Sequence, residues 1–102
     1  MPKDAANYLY DKYIRGNPKR EARILKMRNA MRVSEEFYRI RTTKRYSQKR
    51  IAKLLECTED SVARVEWADY TFLKKSLKLL AKAAELLGCD YKLNLLPEEP
   101  SK

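Results

Sequence analysis

The sequence has no histidine, two cysteines and two glycines in 102 residues. Without histidine the commonest zinc ligand and the usual general base of catalysis are both missing. Cys57 and Cys89 lie far apart in apolar contexts. That placement fits reduced core thiols better than a disulfide framework. There is no phosphate-binding glycine loop, no cluster of metal-ligand residues and no nucleophile beside a base, so no enzyme, metal or cofactor is expected. No apolar run is long enough for a membrane span and no stretch reads as a secretion signal, so the expected partners do not include a membrane and the expected compartment is the cytoplasm.

What the chain has in excess is positive charge, unevenly spread. The formal net charge is +9; residues 1–57 hold 16 Lys/Arg against 6 Asp/Glu, whereas residues 58–102 hold 7 against 8. A basic first half fits a polyanion such as DNA, or an acidic protein surface. Simple solubility is the competing explanation, and the asymmetry weakens it.

The most informative stretch is Ser47 to Glu66, SQKRIAKLLECTEDSVARVE. Ser47 fits an N-cap, and Ile51, Leu54 and Leu55 form an apolar stripe at helical spacing. Ala52 sits where a second helix must cross closely. Glu56-Cys57 breaks the pattern, and Thr58 is a second N-cap followed by Glu59 and Asp60, whose charge favours the first turn of a helix. Val62 and Val65 then face inward. Two short helices joined by a tight turn are predicted.

On these residues the stretch resembles the helix-turn-helix of the phage-repressor (Xre) family. Gln48 opens the first helix, Ala52 follows four residues on, Cys57 takes the apolar place past the turn, Val62 and Val65 are the core positions of the recognition helix, and Glu66 closes it. The resemblance implies a partly buried ion pair between Arg41 and Glu66. It also implies DNA contacts from Gln48, Lys49, Thr58, Asp60, Ser61 and Arg64, with Trp67 and Tyr70 in a loop beside the DNA backbone. One departure is Glu56, which stands where the family's turn normally has glycine; a non-glycine residue at positive φ is uncommon. Among the exposed positions Arg64 is the side chain suited to guanine, whereas Glu59 and Asp60 repel phosphates unless a carboxylate meets cytosine N4. At least one of Trp67 and Tyr70 is expected to pack on the core instead.

The rest of the chain reads as follows. Residues 1–16 carry Tyr8, Tyr10 and Tyr13 with Leu9 and Ile14, and their spacing fits a strand and a helix equally. Asn17-Pro18 is a helix start. The helix that follows has a narrow apolar face of Ile24, Met27 and Met31, widened by Leu25 and set among Arg and Lys. Ser34 is expected to cap a new helix with Val33, Phe37 and Ile40 on its apolar side; one unbroken helix from Pro18 to Lys44 is the alternative. Thr42 to Tyr46 links into the motif, with Lys44 and Arg45 exposed. Residues 72–87 form the clearest helix, with Leu73, Leu77, Leu80, Ala84 and Leu87 on one face, Lys74, Lys78, Lys82 and Glu85 on a solvated one, and Gly88 as the stop. In Asp90 to Leu96 the period changes to two, with Tyr91, Leu93 and Leu95 alternating with Lys92 and Asn94, which reads as a strand ended by Pro97. A lone strand leaves backbone groups unpaired, so the expected partner is the same strand of a second copy about a twofold axis.

The expected fold is therefore mainly α, a lambda-repressor-like helix-turn-helix bundle with a C-terminal β-strand pairing across a dimer. The expected units are an N-terminal segment 1–33, a repressor-like domain 34–97 with its dimer strand at 90–96, and a tail 98–102. The order of elements also resembles HigA-type antitoxins, and the closing strand resembles that of HipB. This resemblance implies a homodimeric, sequence-specific DNA-binding antitoxin and autorepressor. Its operator would be a double-stranded inverted repeat, and it would neutralise an mRNA-cleaving toxin of the RelE/HigB type. Tyr10, Tyr13, Ile24, Met27 and Met31 are the candidate toxin-binding residues, because Tyr, Met and Arg are enriched at interfaces; packing of this segment on its own domain is the alternative. A phage or plasmid repressor with no toxin partner, and a protein-interaction adaptor that does not bind DNA, are the alternatives.

Overall fold

A computed structural model describes residues 17–95, and these are mainly helical. Helix α1 spans Pro18–Thr43. It starts where the sequence says it should: Asn17 is extended, its Oδ1 accepts the Arg20 N–H at 3.1 Å, and Pro18 occupies the first turn, where a missing N–H costs nothing. The helix does not restart at Ser34. That serine is an interior residue of α1, and its hydroxyl donates to the Glu66 carbonyl at 2.8 Å. The hydroxyl is drawn into a tertiary contact, and nothing in the flanking residues stops the helix from running through. The unbroken alternative therefore holds, and position 33/34 lies inside one element.

Helix α2 spans Gln48–Leu55 and helix α3 spans Glu59–Glu66. Ser47 caps α2 by accepting the Arg50 N–H at 3.1 Å, and Thr58 caps α3 by accepting the Ser61 N–H at 3.0 Å. Three residues, Glu56 to Thr58, join them. A 3-10 turn at Tyr70–Phe72, opened by Asp69, leads into helix α4, Leu73–Leu87, which stops at Gly88 with φ 65°. The ends of α1, α2 and α3 use the same left-handed conformation without glycine: Arg45, Glu56 and Ala68 have φ of 61°, 58° and 59°. Such positions cost on the order of 1–3 kcal/mol each, and the surrounding packing must hold them.

The core collects Val33, Phe37 and Ile40 from α1, Ile51, Ala52 and Leu55 from α2, Val62 and Val65 from α3, and Leu73, Leu80, Ala83 and Ala84 from α4. Helix α1 packs most extensively on α4, and α2 on α3. Leu77 and Leu87 are half-buried against this core. Lys82 does not belong to a solvated face: its Nζ donates to the Leu55 carbonyl at 3.0 Å, closing the C-terminal end of α2 where a cation is favoured.

The strand expected at 90–96 is not present among the described residues. Residues 90–95 run as irregular chain, with Leu93 packed on the core and Tyr91 and Leu95 at the surface. A strand exists only through a ladder, and no segment among the described residues supplies one. Side chains of α1 hold the segment instead, with Arg39 donating to the Asp90 carbonyl at 3.0 Å. No described helix is long and apolar enough to cross a membrane.

Candidate nucleic-acid interface

The orientation of α3 is set by its last residue. Glu66 accepts two bonds from Arg41, Nε at 2.5 Å and Nη2 at 2.9 Å, and a third from Gln48 Nε2 at 3.0 Å. Only 13% of the Arg41 side chain and 8% of the Glu66 side chain is exposed, so the pair is shielded from solvent. Arg41 also donates from Nη1 to the Tyr46 carbonyl at 2.8 Å and lies 5.3 Å from the Tyr38 ring centroid. Its hydrogen bond to Glu66 raises the guanidinium pKa further above its ordinary value. One carboxylate thereby joins α1, the start of α2 and the end of α3, and the Ser34 hydroxyl adds a fourth tie at the Glu66 carbonyl.

With its inner side buried at Val62 and Val65, α3 turns Glu59, Asp60 and Arg64 outward, and Ser61 is half-buried. The Thr58 hydroxyl, besides capping, lies 3.0 Å from the Ser61 hydroxyl. Arg64 Nε donates to Asp60 Oδ2 at 3.1 Å, one turn earlier on the same helix, and its guanidinium lies 5.7 Å from the Phe72 ring centroid. Lys49 is exposed beside Gln48, whose own amide is engaged by Glu66. Trp67 and Tyr70 part company: Trp67 ends α3 with 76% of its surface exposed, whereas Tyr70 packs against the core.

The structure thus brings Gln48, Arg41 and Glu66 together and gathers Thr58, Asp60, Ser61 and Arg64 on one side of α3. Tyr91, Leu93 and Leu95 lie in the segment after α4, which Arg39 of α1 holds at the Asp90 carbonyl. Ile24 is half-buried, and Met27 and Met31 are exposed on α1, at 40% and 55%. Tyr10 and Tyr13 lie outside the described residues. Among the described residues no group of three His, Cys, Asp or Glu side chains is placed to hold a metal ion. Cys57 is half-buried, and burial pushes its thiol pKa up, partly countered by the charge of Lys82.

Sequence reasoning missed one feature. An open cleft of about 610 Å3 runs between the end of α3 and the start of α4, lined by Lys26, Arg64, Tyr70, Thr71, Phe72, Leu73, Lys74 and Lys75. Its signal was present only as separate lysines on two helices, and helical periodicity had assigned Lys74 to a plain solvated face. No family model matches the chain, and neither does any curated protein or solved structure.

Proposed function

We propose that the protein is a sequence-specific DNA-binding repressor of the helix-turn-helix type, acting as a homodimer. The observation that carries the reading is the α2–α3 pair. Two capped eight-residue helices meet through a three-residue turn, and the Arg41–Glu66–Gln48 network fixes α3 with its polar side to solvent. A helix held so rigidly by its inner side suits docking into a major groove, whose width admits one α-helix. Thr58, Asp60, Ser61 and Arg64 would face base edges, Lys49 the phosphates, and Trp67 the adjacent backbone.

The homodimer would form by antiparallel pairing of residues 90–95 of two copies, which would give this segment the ladder it lacks alone and cover the exposed Tyr91 and Leu95. A repressor-like dimer reads an inverted repeat with half-site centres ~34–36 Å apart. Titration of a labelled fragment of the gene's own promoter, against shuffled duplex, tests the reading. Preference for the promoter, with steep weakening in salt, is the expected result. Equal affinity for both duplexes would sink it. Removal of residues 90–102 is expected to give a monomer in sedimentation, and an unchanged dimer would place the contact elsewhere.

The antitoxin role is the finer part of the proposal. It draws support from the exposed Met27 and Met31, an apolar pair set among the Arg and Lys of the first half of α1. Residues 1–33 carry 9 Lys/Arg against 3 Asp/Glu. Contact with a basic RelE/HigB-like toxin therefore has to be mainly apolar. The double variant Met27→Ser/Met31→Ser is the clean test, because removal of residues 1–33 would cut α1 and take Ala30 and Val33 from the core. Cells expressing the toxin should no longer be rescued, while operator binding is kept. The acidic start of α3 favours the competing reading of a protein-interaction adaptor without DNA binding, and the promoter titration separates the two.

A further inference from the structure

The basic cleft beside α3 is built from three elements that are far apart in sequence. Lys26 comes from the N-terminal half of α1, Arg64 from the last turn of α3, and Lys74 and Lys75 from the first turn of α4. The lining holds four cations and no carboxylate. The acids nearest in sequence are engaged: Asp60 with Arg64, and Asp69 with the Thr71 N–H at 3.0 Å and the Thr71 hydroxyl at 2.6 Å. Those two Thr71 bonds hold the Asp69 carboxyl below the usual range, and the charge of Arg64 adds to them. Phe72 draws two of the cations together, with Arg64 at 5.7 Å and Lys75 at 5.6 Å from its ring centroid. The backbone adds to the same potential. Helix α4 begins with no side-chain cap and no acidic residue in its first turn, so its N-terminal dipole is not offset there.

Gathering like charges around a cleft costs self-repulsion, which an external anion relieves. We propose that Lys26, Lys74 and Lys75 form a seat for a backbone phosphate of duplex DNA, bordered by Arg64 and placed beside the groove that α3 enters. The inference rests on the DNA-binding reading. It adds that the N-terminal half of α1 belongs to the DNA footprint through Lys26. The cleft is open and its cations stand on its rim, exposed. That shape suits a phosphate carried on a continuous strand. Contacts of this type position the protein and carry no sequence information.

The test uses the full chain and two duplexes, the promoter fragment and a shuffled one, titrated by fluorescence anisotropy over a range of salt. The variant is Lys26→Ala/Lys74→Ala/Lys75→Ala. Its control is Lys19→Ala/Lys53→Ala/Lys92→Ala, which removes the same charge from exposed lysines outside the cleft. Circular dichroism confirms that both fold. The cleft variant is expected to lose affinity for both duplexes by the same factor, about tenfold or more, with promoter preference intact. The slope of log affinity against log salt should fall by about 1 for each phosphate that the variant no longer neutralises. The control is expected to lose clearly less. Wild-type binding to DNA with an unchanged slope in the cleft variant overturns the phosphate seat and leaves the DNA-binding reading standing. Equal losses in variant and control overturn it too, in favour of a diffuse charge effect. Failure of the wild-type chain to bind either duplex overturns both. In that last case tripolyphosphate, followed by amide shifts at Lys74 and Lys75, separates a small phosphate ligand from no anion site.

Discussion

Helix α1 is one element with two different halves. From Val33 onward it buries Val33, Phe37 and Ile40 completely, sends Arg41 to Glu66, Ser34 to the Glu66 carbonyl and Arg39 to the segment after α4. Before Val33 it buries only Asn29 and Ala30, and it leaves Met27 and Met31 in solvent. The backbone is the same in both, although Arg and Lys are denser in the first, with 6 among residues 18–32 against 2 among residues 33–43. The difference lies in what stands opposite. The second half meets α3 and α4, so burial offsets the cost of ordering its side chains. The first half keeps Met27, Met31 and Lys26 exposed, and the two proposals made for it, a toxin contact at Met27 and Met31 and a DNA contact at Lys26, use different faces of the same turns.

If this contrast is right, substitutions of equal chemistry should have unequal effects. The largest belongs to the second half. Phe37→Ala, at a fully buried position, should cost about 3–5 kcal/mol in urea unfolding. Glu66→Ala should come close, at about 3–5 kcal/mol, because it leaves Arg41 shielded from solvent without its carboxylate partner. A loss no larger than that of a surface residue would show that the network contributes little and would break the contrast at its firmest point. Thr58→Ala should cost about 1 kcal/mol through loss of the α3 cap, and should weaken DNA binding more than that cost alone explains if the hydroxyl also touches DNA.

Smaller effects sharpen the contrast from the other side. Ala22→Gly, in the first half, should cost about 1 kcal/mol if that half folds together with the domain. No change in the midpoint, with fast amide exchange confined to residues 18–28, would mark it as an independently opening unit. The smallest effect is expected for Met31→Ser, within about 0.5 kcal/mol, since the side chain is more than half exposed. A large loss there would mean that Met31 is covered and would remove the support for a partner-binding ridge.

Much of the helical layout was legible from the sequence. Asn17-Pro18, Ser47, Thr58 and Gly88 act through neighbours three or four residues away, so each marks a helix end with little reference to the rest of the chain. The spacing of Ile51 and Leu55, of Val62 and Val65, and of Leu73, Leu80 and Ala84 likewise marks inward faces, because helical period follows from backbone geometry. The tertiary structure decided the rest. Ser34 had the chemistry of a cap and became a tie to Glu66; Lys82 looked solvated and reaches the end of α2; residues 90–95 alternate as a strand does and form none among the described residues. The cleft of Lys26, Arg64, Lys74 and Lys75 depends on how α1 crosses α3 and α4. Local periodicity gives a side chain its face on its own helix, whereas the group it meets there depends on crossing angles and on partners tens of residues away.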